Sequence, residues 1–300
     1  MSEQAILGSL EPIRTEPPPP KRRWLPFSRW HLLLFPLMIV MLFPLVWMLV
    51  TSIELPREAH HFPPILIPQG IHWQNYPNAL DAAPFGRFFI NSTIVALSVV
   101  AGNLVLCSLA GYAFARINFA GKNLVFILLL ATLMVPFQVT MIPAFLIVKW
   151  LGLHVSPLIG IDSLGALIVP SLVQVFGIFM LRQFFRTIPV DLEEAARIDG
   201  ASRLGVLFKI ILPLSLPALS TLAALMFLFS WNDFLWPLIV IQTQEHQTVQ
   251  LGLAYFQGAH VTQWTLLMAG NVMSLIPMLI VFFLAQRYFI RSVATSGLKG

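Results

Sequence analysis

The sequence predicts an all-α, polytopic membrane protein with six transmembrane helices. Of its 300 residues 57% are hydrophobic and only 10% are charged, whereas a soluble domain carries about 25% charged residues. The apolar residues are gathered into six runs, each of which reaches the roughly 17–25 residues that span a bilayer core. These runs are too long and too uniformly apolar to be barrel strands. Since backbone groups in lipid must bond within their own segment, we predict helices.

The six predicted spans follow one another along the chain with polar connections between them. They cover residues 30–51, 89–114, 124–148, 164–181, 214–241 and 264–284. Only the fifth of them contains a charged side chain, Asp233. An ionisable group inside a span is expensive in lipid and therefore marks a functional position by default.

The distribution of basic residues predicts the orientation. With the N-terminus in the cytoplasm, only Arg57, Arg87 and Lys149 of the 18 Lys and Arg residues fall on the opposite side, and the positive-inside rule then places both termini in the cytoplasm. The chain divides accordingly into a disordered, Pro-rich cytoplasmic tail at 1–29, a first span at 30–53, an extracytoplasmic segment at 54–87, a core of five spans at 88–290 with a cytoplasmic loop at 182–213, and a cytoplasmic tail at 291–300.

The cytoplasmic loop has the pattern of a helix–turn–helix at the membrane surface. Asp191 is a good N-cap and Glu194 stands three residues later, an arrangement similar to a capping box. Gly200 supplies a left-handed residue that ends this first helix. Ser202 then caps a second, amphipathic helix whose apolar positions are Leu204, Leu207, Phe208 and Ile211.

The first helix of this loop is predicted to have two distinct faces. Leu192, Ala195 and Ala196 share one face, which is small enough for close approach by a partner. Glu193 and Arg197 can pair at the i, i+4 spacing on another face. From these physical features alone, the segment could equally be a well-capped connecting loop.

The particular residues in the loop carry a family resemblance. Glu194-Ala195-Ala196, Gly200, Ile210, Leu212 and Pro213 stand at the spacing of the EAA signature, so the chain resembles the permease subunits of ABC importers. Asn75-Tyr76, Asn91-Ser92, the Pro136/Pro143 pair, Trp231-Asn232-Asp233-Phe234 and the end QRYFIRSVATSGLKG are similar to the carbohydrate-importer branch and to its six-span, MalG-like subunit. The likeness covers about residues 70–300. Ser292 stands where a glycine is expected, and Thr295-Ser296 also departs from the pattern.

This resemblance implies a type I ABC importer permease fold and a role as one subunit of a larger transporter in a bacterial or archaeal cell (inner) membrane. Glu194, Ala195, Ala196, Asp199 and Gly200 would form the coupling helix that docks on a cytoplasmic ATPase dimer. ATP and Mg²⁺ would bind that ATPase, so this chain would hold no cofactor and would not itself be an enzyme. The other implied partners are a second, MalF-like permease, an extracytoplasmic solute-binding protein, membrane lipid and a sugar substrate.

Polar side chains inside the spans are the candidates for contact with cargo. We single out Gln138, Ser230, Asn232, Asp233 and Asn271, although polar groups in membrane helices often serve helix packing instead. Trp231 and Trp236 could stack on sugar rings or pack between helices. The sequence contains no phosphate-binding G-x-x-x-x-G-K-[ST] loop and no HExxH or GxSxG motif.

A stand-alone secondary transporter is the alternative from another class. Such proteins usually have duplicated halves and several intramembrane ionisable groups. Here we find no internal duplication, and Asp233 alone meets the second condition. Nucleic acid is not an expected partner, because the basic residues lie in short segments between spans, as membrane orientation requires.

Overall fold

The computed structural model describes residues 29–61, 65, 67–258 and 262–296, with side chains from residue 30 to residue 286 within those ranges. The predicted N-terminal tail therefore lies outside the described residues, except Arg29. The α-helices are α1 Arg29–Ser52, α2 Pro56–Ala59, α3 Asn75–Asp81, α4 Phe85–Arg116, α5 Lys122–Thr132, α6 Phe137–His154, α7 Leu164–Ile168, α8 Val175–Phe185, α9 Asp191–Ile198, α10 Arg203–Val206, α11 Leu212–Leu214, α12 Leu216–Trp231, α13 Leu235–Val240, α14 Val249–Leu253 and α15 Trp264–Ser296. No β-strand occurs among these residues, which confirms the all-α prediction.

The chain forms two units, residues 1–45 and 46–300. In the first unit, the described residues belong to α1, and their large apolar side chains are exposed, as a helix facing lipid requires. The second unit contains all the other helices. Two of its predicted spans are continuous helices, since α4 runs for 32 residues and α15 for 33 residues. The helix α15 continues through Ser296, beyond the end at 290 that the sequence predicts for the core; residues 297–300 lie outside the described part.

The other three predicted spans are interrupted, so the expectation of one continuous helix in each is wrong. The third span consists of α5 and α6, because Pro136 has no N–H to donate and disfavours a helical conformation at Val135. The fourth is divided into α7, a 3₁₀ turn at Val169–Ser171 and α8. The fifth is divided into α12 and α13.

By length and composition, five helical segments in the described residues can cross a membrane. A sixth is reached when the helix at Arg203–Leu214 is joined to Leu216–Trp231 across a bend of 81°. The predicted number of six spans agrees with this upper value. The bend is fixed at Ser215, which is fully buried and whose hydroxyl donates to the Ile211 carbonyl at 2.7 Å. Its backbone N–H donates to the carbonyls of Ile211 and Leu212, both at 3.0 Å.

The helix α4 lies at the centre of the second unit and packs against α8 and α12. It can approach α8 closely because Gly177 lacks a side chain: a Cβ atom there would lie 3.0 Å from the Cys107 sulfur. We call the apolar residues around this contact the first core cluster; they include Cys107, Phe126, Leu181, Phe185, Leu207, Ile211 and Leu222. A second core cluster joins α3, α4, α12, α14 and α15 through Ala79, Phe85, Phe88, Trp231, Val249 and Leu267.

Several residues that carry the family resemblance hold loops in place. The Asn75 side-chain amide donates to the carbonyls of Ser52 at 3.0 Å and Glu54 at 2.8 Å. The Asn91 amide donates to the carbonyls of Glu245 at 2.8 Å and Gln247 at 2.9 Å. Their neighbours in the sequence, Tyr76 and Ser92, bond to the Ser52 hydroxyl and the Val249 N–H. These motif residues therefore position the ends of helices.

Asp162 fastens the loop after α6 to the loop after α13. Its backbone is left-handed (φ 61°), and one carboxylate oxygen accepts from the N–H groups of Gln242 at 3.0 Å and Thr243 at 2.9 Å. Partial burial acts to raise the pKa of Asp162, but these hydrogen bonds, with a smaller effect from His246, lower the pKa below its usual value. The carboxylate is thus held in its charged, hydrogen-bond-accepting form.

Candidate functional site

The helix α9 begins one residue earlier than the sequence predicts. Val190 occupies the N-cap position with no side-chain cap, and Asp191 is the first helical residue, so the predicted cap by Asp191 and its capping box with Glu194 are wrong. The reason is the helical backbone of Val190, whose carbonyl accepts from the N–H of Glu194 at 3.1 Å. The acidic residues of the first turn still favour the positive end of the helix dipole.

The predicted end of α9 is confirmed in detail. Gly200 has φ 86°, in the left-handed region that favours glycine. The Ala201 N–H donates to the Ala196 carbonyl at 2.9 Å, and the Gly200 N–H donates to the Arg197 carbonyl at 3.1 Å. This pair of bonds is the Schellman motif, which satisfies the last carbonyls of the helix.

The two predicted faces of α9 are arranged differently in the structure. Glu193, which the sequence pairs with Arg197, is only 6% exposed and points into the protein. Ala196 packs against the first core cluster, so the expectation that it shares an outward face with Ala195 is wrong. A three-residue separation places Glu193 and Ala196 on the same side of a helix, and that side faces inward.

The outward side of α9 is uncovered. It carries Glu194, Ala195 and Asp199, which are exposed, followed by the exposed turn at Gly200. Ile198, which is not among the residues predicted to face a partner, is 86% exposed. The uncovered surface therefore combines small, acidic and apolar groups. In the sequence, this outward surface is indicated by three apolar residues that recur every three positions, Leu192, Ala195 and Ile198.

A buried polar cluster anchors the inward side of α9 to the membrane helices. A Glu193 carboxylate oxygen lies 2.6 Å from Arg116 Nε, with both side chains about nine-tenths buried; this is an ion pair whose angles fall outside hydrogen-bond geometry. The Tyr112 hydroxyl donates to the other Glu193 oxygen at 3.2 Å. Arg116 also donates to the carbonyls of Phe185, at 2.8 Å, and Ile188. Arg116 thus joins the ends of α4 and α8 to α9.

The second helix of the loop is capped as predicted, because the Ser202 hydroxyl accepts from the Gly205 N–H at 3.1 Å. Beyond α10 the helix widens into a π turn at Leu207–Ile211. Leu207 and Ile211 are fully buried in the first core cluster, whereas Leu204 and Phe208 are exposed. The four positions therefore do not form one apolar stripe; half of them anchor the loop and half face outward.

Three of the five pathway candidates lie at the interruptions of the spans. Asn232 is exposed and its amide donates to the Leu228 carbonyl at 2.8 Å. Asp233 is half-buried, and its carboxylate accepts from the Trp236 N–H at 3.3 Å. Gln138 is exposed in the first turn of α6. The ring of its neighbour Phe137 lies 5.9 Å from the Trp236 ring, which brings the interruptions of the third and fifth spans together.

The other two candidates, Ser230 and Asn271, are half-buried in α12 and α15, which pack on each other. The Trp231 indole donates to the Ser274 carbonyl at 3.1 Å across this contact. The Trp236 indole donates to the Ala166 carbonyl at 3.0 Å. Both tryptophans are buried, so they pack between helices and do not present an open ring face on which a sugar could stack.

Asn103 holds the interruption of the fourth span open. Its amide donates to the Ser171 carbonyl at 2.8 Å, and its oxygen accepts from the Gln174 N–H at 3.0 Å. These are backbone groups that a continuous helix would pair internally. The sequence shows Asn103 as a polar residue in a span, but its partners 68 to 71 residues away are visible only in the structure.

Comparisons with known proteins agree with this architecture. The family described as "Binding-protein-dependent transport system inner membrane component" matches residues 103–295. The "Arabinooligosaccharides transport system permease protein AraQ" of Halalkalibacterium halodurans is 37% identical over 73% of this chain and 76% of its own length. The "sn-glycerol-3-phosphate transport system permease protein UgpE" of Pectobacterium atrosepticum is 32% identical over 89% of this chain and 95% of its own length.

Among solved structures, a chain of a bacterial ABC transporter involved in the import of the acidic polysaccharide alginate superposes with a TM-score of 0.76. It is 25% identical, and the match covers 88% of this chain and 99% of that chain. The family match at residues 103–295 includes the three interrupted spans and the helix–turn–helix at α9 and α10.

Proposed function

Because the chain belongs to the family of binding-protein-dependent transport system inner membrane components, and is thus the permease subunit of an ABC importer, we propose that it forms half of a pathway for a sugar or a related solute. A second permease supplies the other half, and an extracytoplasmic binding protein delivers the cargo. The cargo class is supported by the names of the relatives, which include transport systems for arabinooligosaccharides and for sn-glycerol-3-phosphate.

The observation that carries this proposal is the arrangement of α9, which is anchored on one side and uncovered on the other. In the proposed complex, Glu194, Ala195, Asp199 and Gly200 contact a cytoplasmic ATPase dimer, while Ala196 supports them from behind. ATP and Mg²⁺ bind that dimer and not this chain. Movement of the ATPase subunits would pass through Glu193 and Arg116 to α4 and α8, and a rigid-body movement of these helices would change access to the pathway.

The interruptions of the third and fifth spans suggest where cargo passes. Non-helical backbone at membrane depth is tolerated where it is buried in protein or lines a water-filled cavity, and Gln138, Asn232 and Asp233 place polar groups there. We propose these three as pathway residues, with Ser230 and Asn271 in the adjoining helices. Hydrogen-bonding groups of this kind suit a cargo with many hydroxyls.

Reconstitution tests the proposed function. The purified chain alone should neither bind nor hydrolyse ATP. Together with an ATPase pair, a second permease and a loaded binding protein in lipid nanodiscs, it should support hydrolysis that rises when the binding protein is loaded. Stoichiometric ATP binding by the isolated chain, or cargo uptake into vesicles that contain this chain alone, would contradict the proposal and favour a stand-alone transporter.

A second experiment tests the orientation, which we propose to have both termini in the cytoplasm of a bacterial or archaeal inner membrane. In a Cys107→Ala background, a cysteine at the exposed position Gln244 should react with an impermeant maleimide in intact cells. A cysteine at Lys209, which is also exposed, should react only after lysis. The reverse pattern would overturn the orientation, and the two positions serve as controls for each other.

A further inference from the structure

Three cationic side chains converge on one cavity where α5 begins and α8 ends. The cavity has a volume of about 460 Å³, and its lining includes Lys122, Arg182 and Arg186 together with the amides of Asn118 and Asn123. No carboxylate is among the described residues that line it. Cations placed this close repel one another, so the site is more stable when an anion occupies it.

The three cations differ in how firmly the protein holds them. Arg182 is fixed, because its Nε donates to the Phe114 carbonyl at 3.2 Å and its guanidinium carbon lies 3.9 Å from the centre of the Phe126 ring. Within the described residues, the side chains of Lys122 and Arg186 donate no hydrogen bond; their bonds to other residues are made by the backbone N–H groups alone. Arg186 is exposed. One preorganised guanidinium and two available cations match the several oxygens of a phosphate group.

An apolar surface continues directly from this cavity. Leu124 lines the cavity, and along α5 it is followed by Val125, Ile127 and Leu128, all of which are exposed. A free anion would occupy only the cationic part. A molecule with an anionic head and apolar chains would fill the cavity and cover the exposed face of α5 at the same time.

We propose that this cavity binds the headgroup phosphate of an anionic glycerophospholipid from the cytoplasmic leaflet, with its acyl chains along α5. The proposal rests on the proposed orientation, which places Lys122, Arg182 and Arg186 at the cytoplasmic surface. Basic pockets between membrane helices on that side suit such headgroups. The lipid would connect α5 to α8, the two helices that supply the cations, beside the anchoring cluster of α9.

Lipid selectivity in the purified full-length protein tests the site. The protein is exchanged into micelles with equal amounts of phosphatidylglycerol and phosphatidylcholine of identical chains, and native mass spectrometry measures the ratio of the two lipids retained. A cation in direct contact with the retained headgroup is expected to contribute about fivefold to such selectivity, as much as a Lys or Arg gains near an anionic surface, whereas a cation outside the site does not contact the retained lipid. The Lys122→Gln/Arg186→Gln variant should therefore lower the ratio by about 25-fold, since it leaves the Arg182 contacts with the fold intact.

Two controls make the result decisive. The Arg203→Gln/Lys209→Gln variant removes the same charge from exposed positions on the same side and should keep the wild-type ratio. The single Arg186→Gln variant, at an exposed position, should lower the ratio by about fivefold even if the double variant does not fold.

The proposal is wrong if the wild-type protein shows no preference for phosphatidylglycerol, or if the control variant loses selectivity as strongly as the cavity variant. It is also wrong if excess inorganic phosphate abolishes the preference, which indicates a site for a soluble anion. Loss of ATPase association with an unchanged lipid ratio would assign the cavity to a protein partner and overturn the lipid site. Because the measurement requires neither ATP nor cargo, its failure is distinct from failure of the proposed transport function.

Discussion

The Arg116→Met variant is expected to release α9 from the membrane helices. It leaves the buried carboxylate of Glu193 without its cation, and removing one partner of a buried ion pair costs about 3–5 kcal/mol. Opening of the loop should then become more frequent by about two orders of magnitude or more. Trypsin cleavage at Arg197 and Arg203, both exposed in the loop, reports this population when opening and closing are fast.

The structure offers matched controls for this variant. Arg87 and Glu245 form an ion pair of 3.5 Å whose side chains are 55% and 66% exposed, so Arg87→Met should cost only about 0–1 kcal/mol. The Arg116→Met/Glu193→Gln double variant removes the unpaired charge and still offers an acceptor to Tyr112, so it should recover much of the lost stability. An unchanged cleavage rate in Arg116→Met, or an equal rise in Arg87→Met, would refute the anchoring role.

The second large effect is expected on the uncovered side of α9. Ala195→Leu, Glu194→Lys and Ile198→Glu should leave insertion and expression unchanged, because these side chains do not pack inside the chain. Transport in membranes that contain the assembled complex should fall at least about tenfold, which corresponds to a loss of only 1.4 kcal/mol at the interface. Pull-down of the ATPase from the same membranes should weaken in parallel.

Neighbouring positions separate interface effects from folding effects. Arg203→Gln changes an exposed residue outside the docking surface and should transport normally. Ala196→Leu should overfill the contact with the first core cluster, at a cost of about 1–3 kcal/mol, and thus increase loop cleavage as well. Gly200→Val is strained by about 1–2 kcal/mol, although a Cβ atom there would meet nothing within 4 Å. Normal transport in all three interface variants, with the ATPase still bound, would show that α9 is not the coupling helix.

The sequence predicts the number and order of the spans because hydrophobicity depends on composition. It does not predict their interruptions, since the residues around them are themselves apolar: Met134, Val135 and Phe137 read as part of a continuous helix. Of the three interruptions, the one before Pro136 has a local signal in the sequence, while the one at Ser171–Gln174 depends on Asn103, far away in the chain.

The loop at 182–213 shows the same division between local and distant causes. Gly200 and Ser202 act through bonds to residues within five positions, and both were predicted correctly. Glu193 has a plausible local partner in Arg197, but its actual partners, Tyr112 and Arg116, lie 81 and 77 residues away along the chain. The periodicity of the sequence therefore predicts the helix α9, but only the packing in the structure shows which face of it is buried.

The bend at Ser215 has a mechanical consequence. The helix at Arg203–Leu214 and α12 meet at 81°, and the hydrogen bonds of Ser215 to Ile211, Leu212 and Leu219 tie them together at the bend. If the two helices turn together as a lever, Leu207 and Ile211 lie on its short arm. The 16 residues of α12 make a long arm of about 24 Å. A rotation of ~5° about the bend therefore moves the far end, next to Asn232 and Asp233, by ~2 Å. That displacement is larger than the radius of a water molecule, so in the proposed transport cycle a small rotation of the helix at Arg203–Leu214 would be enough to change access past Asn232 and Asp233.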